Sequence, residues 1–331
     1  MSCTTGLSWL TKHASSHLKG ADTCSPDPDL PAGDKETNPQ TALRSPNPTA
    51  FSLPPAMTTS LLVGSSPDAL ATELVRRLGA IAKESVLARG VFNVAVSGGS
   101  MPKILSGLAQ AEGIDWSKTR IFFADERCVP LDQSDSNYKA WEGIFSSSGI
   151  PAENVVAVRT DLTPKEAAAD YEANLRQHFP PPEGDSSAGG AAESLPTVSP
   201  PPSFDAALLG VGPDGHTCSL FPSHPLLEER SKWVAHIEDS PKPPPQRVTL
   251  TYPVLNNSRN VMFIGTGEGK ASLLPQLLSV GTDGALKSAG ESSPYPAARV
   301  EVAEGRALAW CVDEAAASQC PPEIAALATK C

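Results

Sequence analysis

Short apolar runs alternate with amphipathic stretches along most of this chain, and that alternation restricts its fold more than any other feature. Apolar runs of roughly four to eight residues bounded by turn residues predict buried strands, and apolar residues at helical spacing predict helices. The predicted strands cover residues 91–96, 120–124, 204–209, 247–252, 261–265 and 307–312. The predicted helices cover residues 67–87, 102–111, 137–146, 164–179 and 268–278. This order predicts an α/β, Rossmann-like domain whose mostly parallel sheet is covered by helices on both faces.

Two segments lack this alternation and are expected to lie outside the core. Residues 1–56 are rich in Pro, Ser and Thr and have almost no periodic apolar pattern, which predicts a disordered N-terminal extension. Residues 180–203 contain seven prolines and no Lys, Arg or aromatic residue, which predicts a loop insertion. One domain is therefore expected over residues 57–331. Residues 1–21 contain basic residues and no acid, so organelle targeting stays open as an alternative.

Charge and cysteine spacing argue against several classes of protein. A formal net charge of −11 argues against general binding to nucleic acid and against a basic membrane-binding surface. The sequence has no run of about eighteen apolar residues that would predict a transmembrane helix. Its seven cysteines form no CxxC pair that would predict a zinc or dithiol site. We therefore expect a cytoplasmic protein without a metal, in which any site for an anion is built from specific Arg and Lys residues.

An apolar run that ends in a glycine-rich turn delivers two ionisable residues to one place. The predicted strand ends at Leu209, and the turn after it carries Asp214 and His216. Ligands of α/β proteins usually bind at loops that follow the carboxyl ends of strands. A carboxylate and an imidazole in such a loop are candidates for acid–base catalysis at neutral pH. A turn Asp and a solvent-facing His would give the same pattern.

A second loop has the composition of an anion-binding site. Ser97, Gly98, Gly99 and Ser100 lie between a predicted strand and a predicted helix. Glycine lets backbone N–H groups approach an anion closely, and the first turn of a helix offers free N–H groups. The loop therefore predicts a phosphate cradle. A tight turn without a ligand is the alternative that these four residues alone leave open.

Five segments, in order along residues 61–317, resemble the 6-phosphogluconolactonase family. They are VSGGS at 96–100, FFADERCVPLDQSDSNY at 122–138, FDAALLGVGPDGHTCSLFP at 204–222, PKPPPQRVTLTYPVLN at 241–256 and GTGEGK at 265–270. The resemblance implies the fold of sugar-phosphate isomerases and deaminases. It also implies hydrolysis of 6-phospho-D-glucono-1,5-lactone in the pentose phosphate pathway, with a small sugar-phosphate substrate and no cofactor.

The resemblance suggests roles for individual residues. His216 would activate water, Asp214 would orient the imidazole, and Arg127 would stabilise negative charge or hold a substrate oxygen. Asp125 joins this catalytic set, and the residues expected to bind the substrate are Ser97, Gly98, Gly99, Ser100, Asn137, Arg247 and Lys270. Asn137 could equally cap the helix that follows it. Glu126 is expected to form an internal salt bridge.

Other functions have weaker signals in the sequence. Gly210, Gly212 and Gly215 match the spacing of a dinucleotide-binding loop, but Pro213 does not suit a helix that opens at the third glycine. The GTGEGK segment lacks the Ser or Thr that follows Lys in nucleotide-binding P-loops. A glucosamine-6-phosphate deaminase-like enzyme and a non-catalytic sugar-phosphate-binding protein stay open as alternatives. The sequence does not determine the oligomeric state, and a monomer is compatible with it.

Overall fold

The computed structural model describes residues 58–180 and 200–331, and an eight-stranded sheet is central to these ranges. The strands described are β1 (Thr58–Gly64), β2 (Phe92–Val96), β3 (Thr119–Phe123), β4 (Asp125–Arg127), β5 (Val155–Val156), β6 (Ala206–Gly210), β7 (Val234–Ile237), β8 (Arg247–Leu250), β9 (Asn260–Gly265), β10 (Leu278–Val280), β11 (Leu286–Ser288), β12 (Ala307–Asp313) and β13 (Ala328–Lys330). The central sheet has the order β13-β1-β12-β9-β6-β2-β3-β5, and its pairings are parallel. The predicted parallel sheet is confirmed.

The three long helices that the structure describes begin where the sequence provides a side-chain cap. The α-helices described are α1 (Pro67–Arg89), α2 (Met101–Ile104), α3 (Asn137–Ser148), α4 (Pro164–His178), α5 (Tyr252–Asn256), α6 (Leu274–Leu277), α7 (Glu314–Ala317) and α8 (Pro322–Ala325). Ser66 accepts a hydrogen bond from the third backbone N–H after it at the start of α1. Thr163 and Glu166 form a reciprocal capping box at α4. In the described part of the chain, no helix has the length and apolar character needed to cross a membrane.

Side chains of the central strands alternate between two apolar cores, one on each face of the sheet. In β2, Val94 and Val96 belong to the core that contains residues of α1 and α3. Ala95 points to the opposite core, which contains residues of α4, α5 and α6. All of β2 is therefore buried, which is why its sequence is apolar at every position except Asn93 and does not alternate. The predicted covering of both faces by helices is confirmed.

The strand order creates a cleft at the carboxyl edge of the sheet. β3 and β5 lie on one side of β2, whereas β6, β9 and β12 lie on the other side. Loops that leave neighbouring strands in opposite directions separate at such a switch point, where open α/β sheets bind ligands. The glycine loop at 97–100 follows β2, and the turn that carries Asp214 follows β6. Both loops therefore reach the same cleft.

A small antiparallel sheet with the order β4-β8-β7 lies beside the central one. Its register pairs Asp125 with Thr249 and Arg127 with Arg247. The strand predicted over 247–252 is therefore shorter than expected and belongs to this second sheet. It stops because α5 begins at Tyr252 with a proline in its first turn, a position where proline favours a helix.

Other differences from the predicted elements have local causes. The helix predicted over 268–278 is instead a 3₁₀ turn (Glu268–Lys270) followed by α6 and β10, because Pro275 interrupts a continuous helix. The helix predicted over 102–111 ends at Ile104 and is followed by the 3₁₀ segment Ser106–Gln110. Strand β1 was not predicted. The predicted extension over 1–56 and residues 181–199 of the predicted insertion lie outside the described residues.

Candidate active site

A cavity of about 240 Å³ opens beyond the carboxyl ends of β2, β6 and β9. The residues that line it are Ser97, Gly98, Gly99, Ser100, Met101, Asp125, Arg127, Asn137, Gly210, Val211, Gly212, His216, Cys218, Arg247, Ile264, Gly265 and Lys270. Of the residues predicted for the site, all except Asp214 line this cavity, and Asp214 contacts His216 directly. The structure brings the predicted residues together, and their individual roles stay predictions.

Two charged side chains hold His216 in place. Its Nδ1 lies 2.5 Å from Asp214 Oδ1 and 3.1 Å from Lys242 Nζ. Lys242 Nζ also donates a hydrogen bond of 2.8 Å to Asp214 Oδ1. Because an ionised carboxylate only accepts hydrogen bonds, we assign the ring proton to Nδ1, where it is donated to Asp214. This assignment leaves Nε2 as the ring nitrogen that can take up a proton.

The surroundings of this group favour a neutral imidazole beside an ionised carboxylate. Burial lowers the pKa of His216, the hydrogen bond with Asp214 opposes that shift, and the charge of Lys242 adds to it. Burial raises the pKa of Asp214, but the hydrogen bonds with Lys242 and His216 outweigh this and lower that pKa to about 2. His216 can therefore act as a base at neutral pH.

Glycines in the turn after β6 let the imidazole fold back against the main chain. The Gly212 N–H donates a hydrogen bond of 2.8 Å to the His216 carbonyl, and a Cβ at Gly212 would overlap the imidazole ring. Gly215 has a φ of 75°, which favours glycine. The next helical segment is the 3₁₀ turn Pro225–Glu228. This glycine pattern therefore does not open a helix, as a dinucleotide-binding loop does.

The loop after β2 offers hydrogen-bond donors to the cavity. Ser97 is 5% exposed, and in the described part of the chain its Oγ interacts with the Cys218 thiol but forms no hydrogen bond with an oxygen or nitrogen atom. The backbone N–H groups of Gly98, Gly99 and Ser100 likewise donate to no carbonyl among the described residues. Because α2 is a single turn, these free donors contribute more to anion binding than a helix dipole does. The predicted phosphate cradle has the donors that it requires.

Asp125 is a buried carboxylate surrounded by neutral partners. Asn137 Nδ2 donates to Asp125 Oδ1 at 3.2 Å and to the Asp125 carbonyl at 2.8 Å. Ser219 Oγ donates to Asp125 Oδ2 at 3.0 Å. Asn137 therefore fixes Asp125 rather than capping α3, because Ser136 is the residue that caps this helix. The network connects the small sheet to the first turn of α3.

The prediction that Glu126 forms an internal salt bridge was wrong, since its carboxylate pairs with no cation in the described ranges. It accepts hydrogen bonds from the N–H groups of Arg127, Asn137 and Tyr138 at 2.7, 2.7 and 2.8 Å. Ser136 Oγ donates to it at 3.1 Å. Because N–H groups in the first turn of a helix have no partner within the helix, this carboxylate anchors α3 to β4. Burial raises the pKa of Glu126, and these N–H donors oppose the shift.

Three cations line the cavity and donate to backbone carbonyls rather than to carboxylates. Arg127 and Lys270 each make one such bond of 2.6 Å, and Arg247 makes three of 2.9 Å. None of the three forms an ion pair within residues 58–180 and 200–331. Burial lowers the pKa of Arg247 and of Lys270, with further lowering by Arg127 and Lys242 respectively. Cations that form no ion pair and are repelled by neighbouring cations favour an anionic ligand.

Sequence reasoning missed Lys242 and Ser219. Lys242 lies in a proline run that predicts only a stiff approach to β8, yet its ammonium reaches Asp214, 28 residues away in sequence. Ser219 reaches Asp125 across 94 residues. The one available signal was that both residues lie in segments resembling the family. Their partners could not be found by spacing, because the contacts join separate segments.

The side chains near the cavity do not favour a thiolate nucleophile or a bound metal ion. Burial raises the pKa of Cys218, which lines the cavity, and raises that of Cys128 to about 11. Both thiols therefore stay protonated at neutral pH and act as space-filling side chains. In the described ranges, no group of three or more His, Cys, Asp and Glu side chains is arranged to hold a metal ion.

Comparison with known proteins gives the family of this chain. A sequence model described as "Glucosamine-6-phosphate isomerases/6-phosphogluconolactonase" matches residues 65–310. The chain belongs to this family. A Homo sapiens member named 6-phosphogluconolactonase is 44% identical over 236 residues, covering 70% of this chain and 81% of the human protein. An Oryza sativa subsp. indica member named "Probable 6-phosphogluconolactonase 3, chloroplastic" is 38% identical over 262 residues, covering 78% and 75% of the two chains.

A solved structure of the family has the same fold. The crystal structure of a 6-phosphogluconolactonase from Thermotoga maritima matches 77% of this chain and 99% of its own, with a TM-score of 0.60 and 27% identity. The family-model match at 65–310 includes every residue that lines the cavity. The family and fold class predicted from the sequence are confirmed.

Proposed function

We propose that this protein hydrolyses 6-phospho-D-glucono-1,5-lactone to 6-phospho-D-gluconate, the second step of the oxidative pentose phosphate pathway. The activity is supported by family members that carry the name 6-phosphogluconolactonase, at up to 44% identity. The observation that carries the proposal is one cavity that holds a base and unpaired cations. His216 has a lowered pKa there, and Arg127, Arg247 and Lys270 form no ion pair among the described residues.

In the proposed reaction, His216 first accepts a proton from water and later donates it to the leaving ring oxygen. Nε2 takes a proton from water, and the resulting hydroxide adds to the lactone carbonyl carbon. The carbonyl electron pair moves onto its oxygen and gives a tetrahedral anion, which Arg127 stabilises. When the anion collapses, the bond from that carbon to the ring oxygen breaks, and the imidazolium returns its proton to the ring oxygen. One water is consumed, and the new carboxylic acid releases a proton to solvent.

Asp214 and Lys242 have opposing effects on the proposed base. Asp214 fixes the Nδ1–H tautomer and stabilises the imidazolium while it exists. Lys242 keeps Asp214 ionised through the 2.8 Å hydrogen bond and disfavours permanent protonation of His216. In this proposal Lys242 positions and tunes the base and takes no proton itself.

The proposed phosphate clamp combines the glycine loop with Arg247 and Lys270. Free N–H groups of the loop and the two cations bind the phosphate, and binding at this distant group orients the carbonyl carbon toward the base. Asp125 is assigned a positioning role, because its oxygens already accept hydrogen bonds from Asn137 and Ser219.

Acid release from freshly prepared lactone, above the spontaneous rate, tests this proposal. Wild type should accelerate release, and His216→Ala should lose at least about a hundredfold of that acceleration, the usual contribution of a general base. His236→Ala is the matched control, because His236 does not line the cavity. Activity that survives in a folded His216→Ala variant would move the base to another group. No acceleration by wild type would reject the lactonase and make the deamination of an amino-sugar phosphate the next assay.

We also propose a cytoplasmic location, with organelle targeting through residues 1–21 as the alternative. The names of the rice relatives include the word "chloroplastic", which supports testing that alternative. Residues 1–56 fused to a fluorescent protein should stay in the cytoplasm of the source cell. Accumulation of the fusion in an organelle would reject the cytoplasmic proposal without affecting the lactonase one.

A further inference from the structure

A second cavity lies at the edge of the central sheet opposite the cavity lined by His216, which we call the catalytic cavity because of its proposed role. It has a volume of about 160 Å³, and Arg89, Arg259 and Arg306 are among the residues that line it. β9 begins at this cavity with Asn260 and ends at the catalytic cavity with Gly265. A strand rises about 3.3 Å per residue, so roughly 17 Å of strand separates the two. The second cavity is therefore a separate site.

One buried carboxylate neutralises only part of the charge at this cavity. Asp205 Oδ1 accepts a hydrogen bond of 2.9 Å from Arg89 Nε and lies 2.7 Å from Arg89 Nη2. The Nε of Arg259 is 3.6 Å from the same oxygen. Arg306 donates to two neutral side-chain oxygens, at 2.5 and 3.0 Å, and to no carboxylate in the described residues. Three guanidinium groups therefore share one paired carboxylate.

Charge pairing with Asp205 does not explain why three arginines lie at this cavity. Arg89 already supplies a close ion pair, and the Asn93 N–H donates a hydrogen bond of 2.8 Å to Asp205 Oδ2. Arg259 Nε is buried and has no hydrogen-bond partner among the described residues. Burial lowers the pKa of Arg306, and the charges of Arg259 and Arg89 lower it further. Repulsion between the arginines and an unused donor favour binding of an additional anion.

We propose that this second cavity binds a phosphate dianion, either inorganic phosphate or the phosphate group of a phosphomonoester. A guanidinium makes charge-assisted hydrogen bonds to phosphate oxygens, and three guanidinium groups, which carry more positive charge than Asp205 neutralises, line a cavity large enough for one phosphate. The bound dianion joins the end of α1 to the starts of β9 and β12. Because it binds only the folded chain, it raises the melting temperature as its concentration rises.

Calorimetric titration of the full chain with inorganic phosphate tests the proposal. Wild type should show two binding events, one at the catalytic cavity and one at the second cavity. Arg306→Gln should weaken one event by about tenfold or more, the loss expected for one charged hydrogen-bonding group. Lactone hydrolysis by this variant should be unchanged. Arg159→Gln is the control for net charge, because Arg159 is an exposed residue paired with Asp161.

A variant that binds phosphate more tightly than wild type distinguishes a specific site from an effect of general destabilisation. Glu84 lines the second cavity and forms no ion pair among the described residues. Glu84→Gln should therefore tighten the second event several-fold, which a partly unfolded variant cannot do. Glycerol 3-phosphate in place of phosphate distinguishes a phosphomonoester from the free ion, since the natural source should bind more tightly. The absence of any event that Arg306→Gln weakens, or equal binding of chloride at matched ionic strength, would overturn the proposal.

Discussion

At the residue scale, the environment of His216 is a balance between two neighbours of opposite charge. Asp214 alone would raise the pKa of the imidazole, so that the base would be partly protonated and inactive near neutral pH. Burial has the largest effect and lowers the pKa of His216, and Lys242, which contacts both groups, lowers it further. The position of Lys242 thus allows a carboxylate to orient the ring without holding it in the protonated state.

This balance predicts pH profiles that move in opposite directions in two variants. In the proposed mechanism catalysis requires neutral His216, so activity is expected above its pKa and is lost as the pH falls through it. The lowered pKa places the acidic limb of kcat/KM below the ordinary value of 6.5. Lys242→Met should move that limb to higher pH, and Asp214→Asn should move it to lower pH, after subtraction of spontaneous hydrolysis. Shifts in the same direction would contradict the assigned electrostatics.

Glu126 is predicted to stabilise the fold through the start of α3. In Glu126→Gln an amide N–H₂ replaces an oxygen that accepts backbone N–H groups, which should cost about 1–3 kcal/mol of unfolding free energy. Urea unfolding measures this loss. Glu142→Gln is the matched control, because Glu142 is an exposed residue in the same helix and forms a surface ion pair worth about 0–1 kcal/mol. Equal losses in both variants would refute the capping role.

At the element scale, the glycine loop approaches α3 so closely that a side chain at Gly98 is expected to impair catalysis. A Cβ at Gly98 would overlap the Asn137 amide, which lines the cavity and holds Asp125. Gly98→Ala should therefore lower kcat/KM by at least about tenfold, since misplacement in a site by about 1 Å is this costly. Gly143→Ala is the control, because a Cβ in this part of α3 meets no atom within 4 Å. Activity of Gly98→Ala equal to wild type would show that the loop can move away.

The sequence predicts elements best where burial is uniform. β2 and β6 are covered on both faces, so their sequences are short, mostly apolar runs that can be recognised without a partner. β8 is equally buried, yet it joins the small sheet, because pairing depends on a distant strand that the sequence of β8 does not encode. The helix predicted over 268–278 was too long, because the prediction relied on the spacing of apolar residues and disregarded Pro275, which interrupts a helix. In the site, residues next to strand ends were predictable, whereas Lys242 required knowledge of how a proline run folds back.

At the scale of the whole molecule, local charge and net charge have opposite signs. The chain carries a formal net charge of −11, yet the catalytic cavity holds three cations without ion pairs among the described residues. Arg127, Arg247 and Lys270 come from segments more than twenty residues apart. The topology assembles them, because β4 pairs with β8 while the turn after β9 reaches the same edge. From composition alone, one could therefore predict only that an anion site in this acidic chain is built from a few specific Arg and Lys residues.

The last prediction concerns how much of the chain the activity needs. Every residue that lines the catalytic cavity lies between Ser97 and Lys270, so a fragment of residues 57–331 should keep kcat/KM within about twofold of the full chain. A fragment of residues 65–331 loses β1, which pairs in parallel with β12 and β13. Leu61 and Leu62, each 1% exposed, contribute about 1.5–3 kcal/mol apiece, a large part of a typical stability of about 5–15 kcal/mol.

We therefore expect the longer fragment to be folded and active and the shorter one to lack a cooperative melting transition. Circular dichroism melting curves and lactone hydrolysis, measured on the same samples, distinguish loss of fold from loss of function. If the 57–331 fragment melts like the full chain but does not hydrolyse the lactone, residues 1–56 contribute to catalysis. If the 65–331 fragment stays folded and active, β1 is dispensable and the central sheet is stable without the strand that joins β12 to β13.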